Sequence, residues 1–182
     1  MLEKYALVHA MQVLTAVPSK SFSVRGLARE AKLSPGASRI ALDYMHKKGM
    51  VSLKVIGKTY QYKASLDNAL CRQWKTLFNV NELNDSKIVN EIIKRIPLVQ
   101  SILLYGSLAK GTNDMKSDVD LLVISLKKTK TDLRFVNKIK KEVNVTVFSW
   151  NEWRKKAVKD KVFYENVIFD SIVLFGERPV VL

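Results

Sequence analysis

The chain has 182 residues, enough for one medium domain or two small ones, each able to bury a core. With 47% apolar and 26% charged residues it reads as soluble and globular, and no run nears the roughly 18 apolar residues that a bilayer span needs, which excludes a membrane helix. Its 31 Lys and Arg against 17 Asp and Glu, a formal net charge of +14, favour a polyanionic partner such as nucleic acid or a nucleotide.

The lone Cys71 excludes an internal disulfide and argues against a cysteine-based metal site, as expected of a cytoplasmic protein. His9 and His46 are far apart and have no ligand-like neighbours, which argues against zinc. Lys4 precedes an apolar stretch from Tyr5 to Val17, but His9 and Gln12 interrupt it. Leu2, Ala6, Ala10 and Val13, with Leu7, Met11 and Leu14 beside them, recur at helical spacing, so an amphipathic helix ended by Pro18 is expected rather than a secretion signal.

Ser23 is expected to cap a short helix from Val24 to Ala31. In "LSPGASRIALDYMHKKGMV", Ser34 can cap, Pro35 suits the first helical position and Gly49 can close the end. The expected buried stripe is Ala37, Ile40, Ala41, Tyr44 and Met45, leaving Gly36, Ser38, Arg39, Asp43, His46 and Lys47 outside. Beyond Gly49 the period drops to two, and "MVSLKVIGKTYQYKA" reads as a hairpin turning at Ile56-Gly57-Lys58.

Three helices and a hairpin in this order, with "LSPGASRIALDYMHKKGMV" at the third helix, resemble the winged helix-turn-helix domain of transcriptional regulators. The resemblance implies that the third helix enters the major groove of double-stranded DNA. Gly36, Ser38 and Arg39 would then face base edges, and Lys47 and Lys58 would lie near phosphates. Residues 1–66 carry 11 Lys and Arg against 3 Asp and Glu, or +8, which agrees. A protein-docking role for the same module is the alternative.

From Leu66 to Phe78 a helix is expected, with Leu66, Leu70, Trp74 and Leu77 on one side, serving as a packed linker or a pairing element. The polar "NVNELND", Asn79 to Asp85, reads as a loop. This divides the chain into a DNA-binding domain at 1–66, a linker helix and loop at 67–84, and a second domain at 85–182. That domain opens with a helix from Ser86 to Ile96, stopped by Pro97.

Next, "LVQSILLYGS" reads as a buried strand turning into a helix N-terminus, where unpaired backbone N–H groups suit a phosphate. Gly106 allows close approach to the backbone, Ser107 adds a hydroxyl, and Lys110 lies one turn on. "SDVDLLVIS" reads as a strand whose period of two puts Asp118 and Asp120 on one side, about 6.6 Å apart along it. Two such carboxylates can converge on Mg²⁺ ions about 3.5–4 Å apart, which take hard oxygen ligands and leave room for substrate phosphates and water.

Together, "GSLAKGTNDMKSDVDLLV" resembles the motif of the nucleotidyltransferase superfamily that includes DNA polymerase beta and the aminoglycoside nucleotidyltransferases: Gly-Ser, a loop, then Asp-x-Asp at a strand. The resemblance covers about residues 85–182. It implies transfer of a nucleoside monophosphate from a nucleoside triphosphate to a hydroxyl. Gly106, Ser107 and Lys110 would hold the nucleotide, while Asp118 and Asp120 would be the catalytic pair that binds Mg²⁺ or Mn²⁺. The family's third carboxylate falls on the next strand, "KEVNVTVFSW", at Asn144, with Glu142 on the same face as a substitute from a neighbouring position. An amide accepts no proton usefully at neutral pH and attracts a cation less than a carboxylate does.

Helices from Asn151 and around Phe163 to Asp170, then a short strand from Ile172 to Phe175, complete an expected α+β chain: a winged helix followed by a small mixed sheet with flanking helices. Trp150, Trp153, Phe163 and Phe169 are expected in its core, with base stacking as the alternative. Three functions follow from the resemblances. The leading one is a DNA-binding transcriptional regulator, expected to be a homodimer, whose second domain binds nucleotide and Mg²⁺ with little catalysis because of Asn144. The others are an active nucleotidyltransferase, and the antitoxin of a toxin-antitoxin pair whose partner is a helical ribonuclease.

Overall fold

In the computed structural model, which describes residues 5–127, 139 and 141–181, serine caps open two of the helices of an N-terminal unit. Leu2, at the head of the expected first helix, lies outside these residues, and the helix α1 is Ala6–Ala16. Ser23 accepts from the Gly26 N–H to open α2, Val24–Glu30, and Ser34 accepts from the Ala37 N–H to open α3, Pro35–Lys47. Each cap satisfies one N–H that the helix cannot pair internally. The hairpin of β1, Val51–Ile56, and β2, Thr59–Ala64, turns at Gly57 with φ +60°, a conformation that glycine adopts without cost. Phe22 bridges to Tyr62 and ties the segment before α2 to the hairpin.

The buried stripe of α3 is rotated from the expected one. Ser38, Ala41, Leu42 and Met45 face the core, whereas Ile40 is 73% exposed and Tyr44 is also outside. Both sets have helical spacing. The set that wins pairs the bulky Leu42 and Met45 with small residues at 38 and 41, where α3 packs closely on its neighbours. Ser38 therefore cannot meet a base edge: it is fully buried, and its Oγ has no hydrogen-bond partner among the described residues.

The expected loop at Asn79 to Asp85 is helical. Helix α4 runs without a break over Ala69–Ser86 and carries the chain from the first compact unit, Met1–Phe78, into the second, Asn79–Leu182. Its inward residues in the first unit are Cys71, Trp74, Lys75 and Phe78, not Leu70 and Leu77, which are exposed. Leu83 and Asn79 supply the buried positions in the second unit, so polar composition concealed a helical stripe. Burial pushes the Cys71 thiol above its ordinary pKa, which suits an inert core residue.

In the second unit, α5, Ile88–Arg95, precedes β3, Val99–Tyr105, the short α6, Gly106–Lys110, and β4, Val119–Ser125. Strand β5, Val143–Ser149, helices α7, Trp150–Lys159, and α8, Lys161–Asp170, and β6, Ile172–Gly176, follow. The sheet order is β5-β4-β3-β6, with β4 and β5 parallel and the other pairs antiparallel.

Alternation along β3 and β4 divides the core between two faces. Ile102, Leu104, Val119, Leu121 and Val123 pack with Ile88, Ile92 and Leu108; Leu103, Leu122 and Ile124 pack with Trp153 and Val167. Trp153 is fully buried, and its indole N–H donates to the Pro179 carbonyl at 2.7 Å. Phe163 and Trp150 lie partly buried on this face, but Phe169, expected inside, is 77% exposed. Among the described residues no helix is long and apolar enough to cross a membrane.

A buried hydroxyl without a partner costs about 1–3 kcal/mol. Ser38→Ala is therefore expected to raise the melting temperature, and Ser38→Asp to lower it sharply, in thermal unfolding followed by circular dichroism.

Candidate active site

Strand β3 ends at Tyr105, which lies opposite Asp120 on β4. The chain then turns at Gly106, φ +74°, where a Cβ would come 2.6 Å from Asp120 Oδ2. The glycine is thus required twice: by its left-handed backbone and by the carboxylate packed against it. Ser107 follows in the first turn of α6. With five residues, α6 is too short to carry much of a macrodipole, and what it offers an anion is its first backbone N–H groups. Gly111, φ +66°, closes it, and the Thr112 N–H donates back to the Ser107 carbonyl at 3.0 Å.

Lys110 ends α6 with its ammonium 2.7 Å from Asp170 Oδ2 on α8. It is engaged by a carboxylate instead of standing open to a phosphate.

The segment between Gly111 and Asp118 is held by side chains that no motif identifies. Asn79 donates to the Leu108 carbonyl and to Asn113 Oδ1, both at 2.9 Å, and both asparagines are buried. Asp114 accepts from the Lys116 N–H and the Ser117 hydroxyl, which hold its carboxyl below the usual carboxylate range. The Lys141 ammonium donates to the carbonyls of Asp114, at 3.0 Å, and Ser117, at 3.2 Å. These contacts set where the chain enters β4.

Asp118 and Asp120 are half-buried at the start of β4. Strand β5 pairs in parallel register with Asp120 opposite Asn144, the position expected of the third carboxylate. The Asn144 amide nitrogen lies 3.4 Å from Asp118 Oδ2 and 3.3 Å from Asp120 Oδ1, so one nitrogen serves both carboxylates. Glu142 is exposed and precedes β5; its carbonyl accepts from the Val119 N–H at 2.8 Å.

The structure thus brings Gly106, Asp118, Asp120 and Asn144 together. Two carboxylates converging on one point fit a hard divalent cation. Among the described residues no group of three or more His, Cys, Asp or Glu side chains could hold a metal, so substrate phosphates and water would complete the shell.

Of the residues expected to meet DNA, Gly36, Arg39, Lys47 and Lys58 are exposed. The Arg39 guanidinium is paired along its own helix with Asp43 at 3.5 Å, and the same surface presents Ile40 and Tyr44. An apolar groove of about 320 Å³ lies there, lined by Ala6, Leu7, Ala37, Ile40, Ala41 and Tyr44.

Residues 86–175 match the model of the nucleotidyltransferase domain family. The match does not reach the three helices and hairpin of the first unit, so no family match supports the winged-helix resemblance. A 46-residue stretch is 37% identical to the protein adenylyltransferase MntA of Shewanella oneidensis, covering 25% of this chain and 33% of that protein. The aligned stretch thus spans about a third of the relative's length. The Gly-Ser and Asp-x-Asp residues lie within the matched stretch, and residues 86–175 are a nucleotidyltransferase domain.

Proposed function

We propose that the protein transfers a nucleoside monophosphate from a nucleoside triphosphate to a hydroxyl on an acceptor, with AMP and a protein acceptor as the first pair to test. The carrying observation is the convergence of Asp118, Asp120 and the Gly106 turn on one point. The choice of AMP and protein follows from the name of the similar adenylyltransferase.

In this reading Asp118 and Asp120 are the metal ligands, and the N–H groups after Gly106, with the Ser107 hydroxyl, bind the phosphates. A bound Mg²⁺ or Mn²⁺ would supply charge neutralisation of the triphosphate and stabilise the in-line transition state. The acceptor oxygen bonds to the α-phosphorus, the bond to pyrophosphate breaks, and pyrophosphate leaves. Asn144 takes no proton at neutral pH, so the proton of the acceptor hydroxyl passes to solvent.

Incubating the protein with α-labelled ATP, Mn²⁺ and a cell extract as the acceptor source is expected to label protein and release pyrophosphate. Asp118→Ala is expected to cut labelling by about 100-fold or more, the scale lost with a central electrostatic group. Nucleotide binding that depends on Asp118 without any transfer would reduce the proposal to a nucleotide-binding role.

Lys110 can reach a phosphate only by giving up Asp170. Asp170→Asn is therefore expected to tighten ATP binding by up to about fivefold, since an exposed ion pair is worth at most about 1 kcal/mol. Titration with a fluorescent ATP analogue reads this directly, and Lys110→Ala should weaken binding in both backgrounds.

A DNA-binding regulator is the competing reading, and the charge of +8 over residues 1–66 favours it. With Ser38 buried, Arg39 tied to Asp43 and Ile40 and Tyr44 outside, α3 suits protein docking better than base readout. A gel shift on duplex DNA is expected to vanish as salt rises and to ignore Arg39→Ala, as backbone-only attraction does. A sequence-dependent shift abolished by Arg39→Ala would restore the regulator.

A further inference from the structure

We infer that Asn144 is a positioning residue for the acidic pair: its amide holds Asp118 and Asp120 together before a cation arrives, and its neutrality limits the site to a single divalent cation. The inference rests on reading the two aspartates as cation ligands.

An amide nitrogen carries two hydrogens. Here each has its own acceptor, Asp118 Oδ2 at 3.4 Å and Asp120 Oδ1 at 3.3 Å, both a little longer than the usual N–H···O bond of about 2.7–3.2 Å and so individually weak. The orientation follows from charge: turning the amide over would set its oxygen against two carboxylates. Among the described residues no Lys or Arg is ion-paired to either aspartate, and Asn144 is the side chain that donates to both. Parallel pairing puts it opposite Asp120, so its reach is set by the backbone.

An aspartate at this place would have the same size and the opposite effect. It would add a third negative charge to the group, raising repulsion without a cation and providing a further ligand with one. Asn144 therefore trades cation affinity for a site that stays assembled when empty. A neighbour that orients metal ligands in this way typically alters affinity by about tenfold or more.

The test is Mn²⁺ binding counted by electron paramagnetic resonance, with and without a non-hydrolysable ATP analogue, paired with melting curves in chelator and in Mn²⁺. Asn144 is exposed, so Asn144→Asp and Asn144→Ala leave the core untouched. Wild type is expected to hold one Mn²⁺, Asn144→Asp to hold two with the first about tenfold tighter, and Asn144→Ala to hold one more weakly. In chelator Asn144→Asp should melt below wild type, and in Mn²⁺ above it.

The inference is overturned if Asn144→Asp matches wild type in stoichiometry and affinity, or if wild type already holds two cations. Mn²⁺ binding as expected with no nucleotide transfer would overturn the proposed activity and leave this inference standing. Absence of Mn²⁺ binding in both wild type and Asn144→Asp would overturn both.

Discussion

Strand β4 is held on both sides by pairings of opposite sense, and the site depends on that arrangement. Antiparallel pairing with β3 brings the end of one strand beside the start of the next, so the turn after Tyr105 closes over Asp120. Parallel pairing with β5 brings the start of that strand to the same edge, so position 144 arrives beside Asp120. A shift of one residue in either register would turn its side chains to the other face of the sheet. Strand β4 is covered by a core on each face, so such a shift would move Leu122 and Ile124 from one core to the other and carry Asp120 into an apolar one, where an unpaired carboxylate is costly.

The polar surroundings serve positioning more than chemistry. Asn79 and Asn113 secure the end of α6, Lys141 gathers the carbonyls ahead of Asp118, and Asp170 engages Lys110. The buried asparagine pair is fully committed to protein partners, as a polar group in an apolar interior must be. Asp118 and Asp120 are thereby set beside the Gly106 turn, with Lys110 paired to Asp170.

Much of this was legible in the sequence where a local rule had one outcome. Ser34-Pro35 and Gly49 marked both ends of α3, the period of two in "SDVDLLVIS" put both aspartates on one side, and Asn144 stood where the family's carboxylate is expected. Legibility failed where two patterns competed or where contacts were distant in sequence. On α3 the expected set 37-40-41-44-45 and the observed set 38-41-42-45 share a period and two members, and only the packing of α1 and α2 chooses between them. Residues 79–85 looked like a loop because the stretch is polar and poor in apolar residues, yet the partners of Asn79 at 108 and 113 make a polar residue the right one to bury. Lys141 and Asp170 belong to no motif, and their roles come from a fold that returns the chain to the same edge.

The two halves of the site differ in how the backbone around them is secured. Strand β4 is paired on both sides and buried from Leu121 to Ser125, so its amide hydrogens are expected to trade with solvent only when the whole unit opens. The segment Thr112 to Ser117 is held chiefly by side-chain contacts and is mostly at the surface, so it can open on its own at far lower cost. The acidic half thus keeps the lifetime of the fold, while the stretch leading into it keeps the lifetime of a loop. Local opening at this edge can thus disturb only the latter.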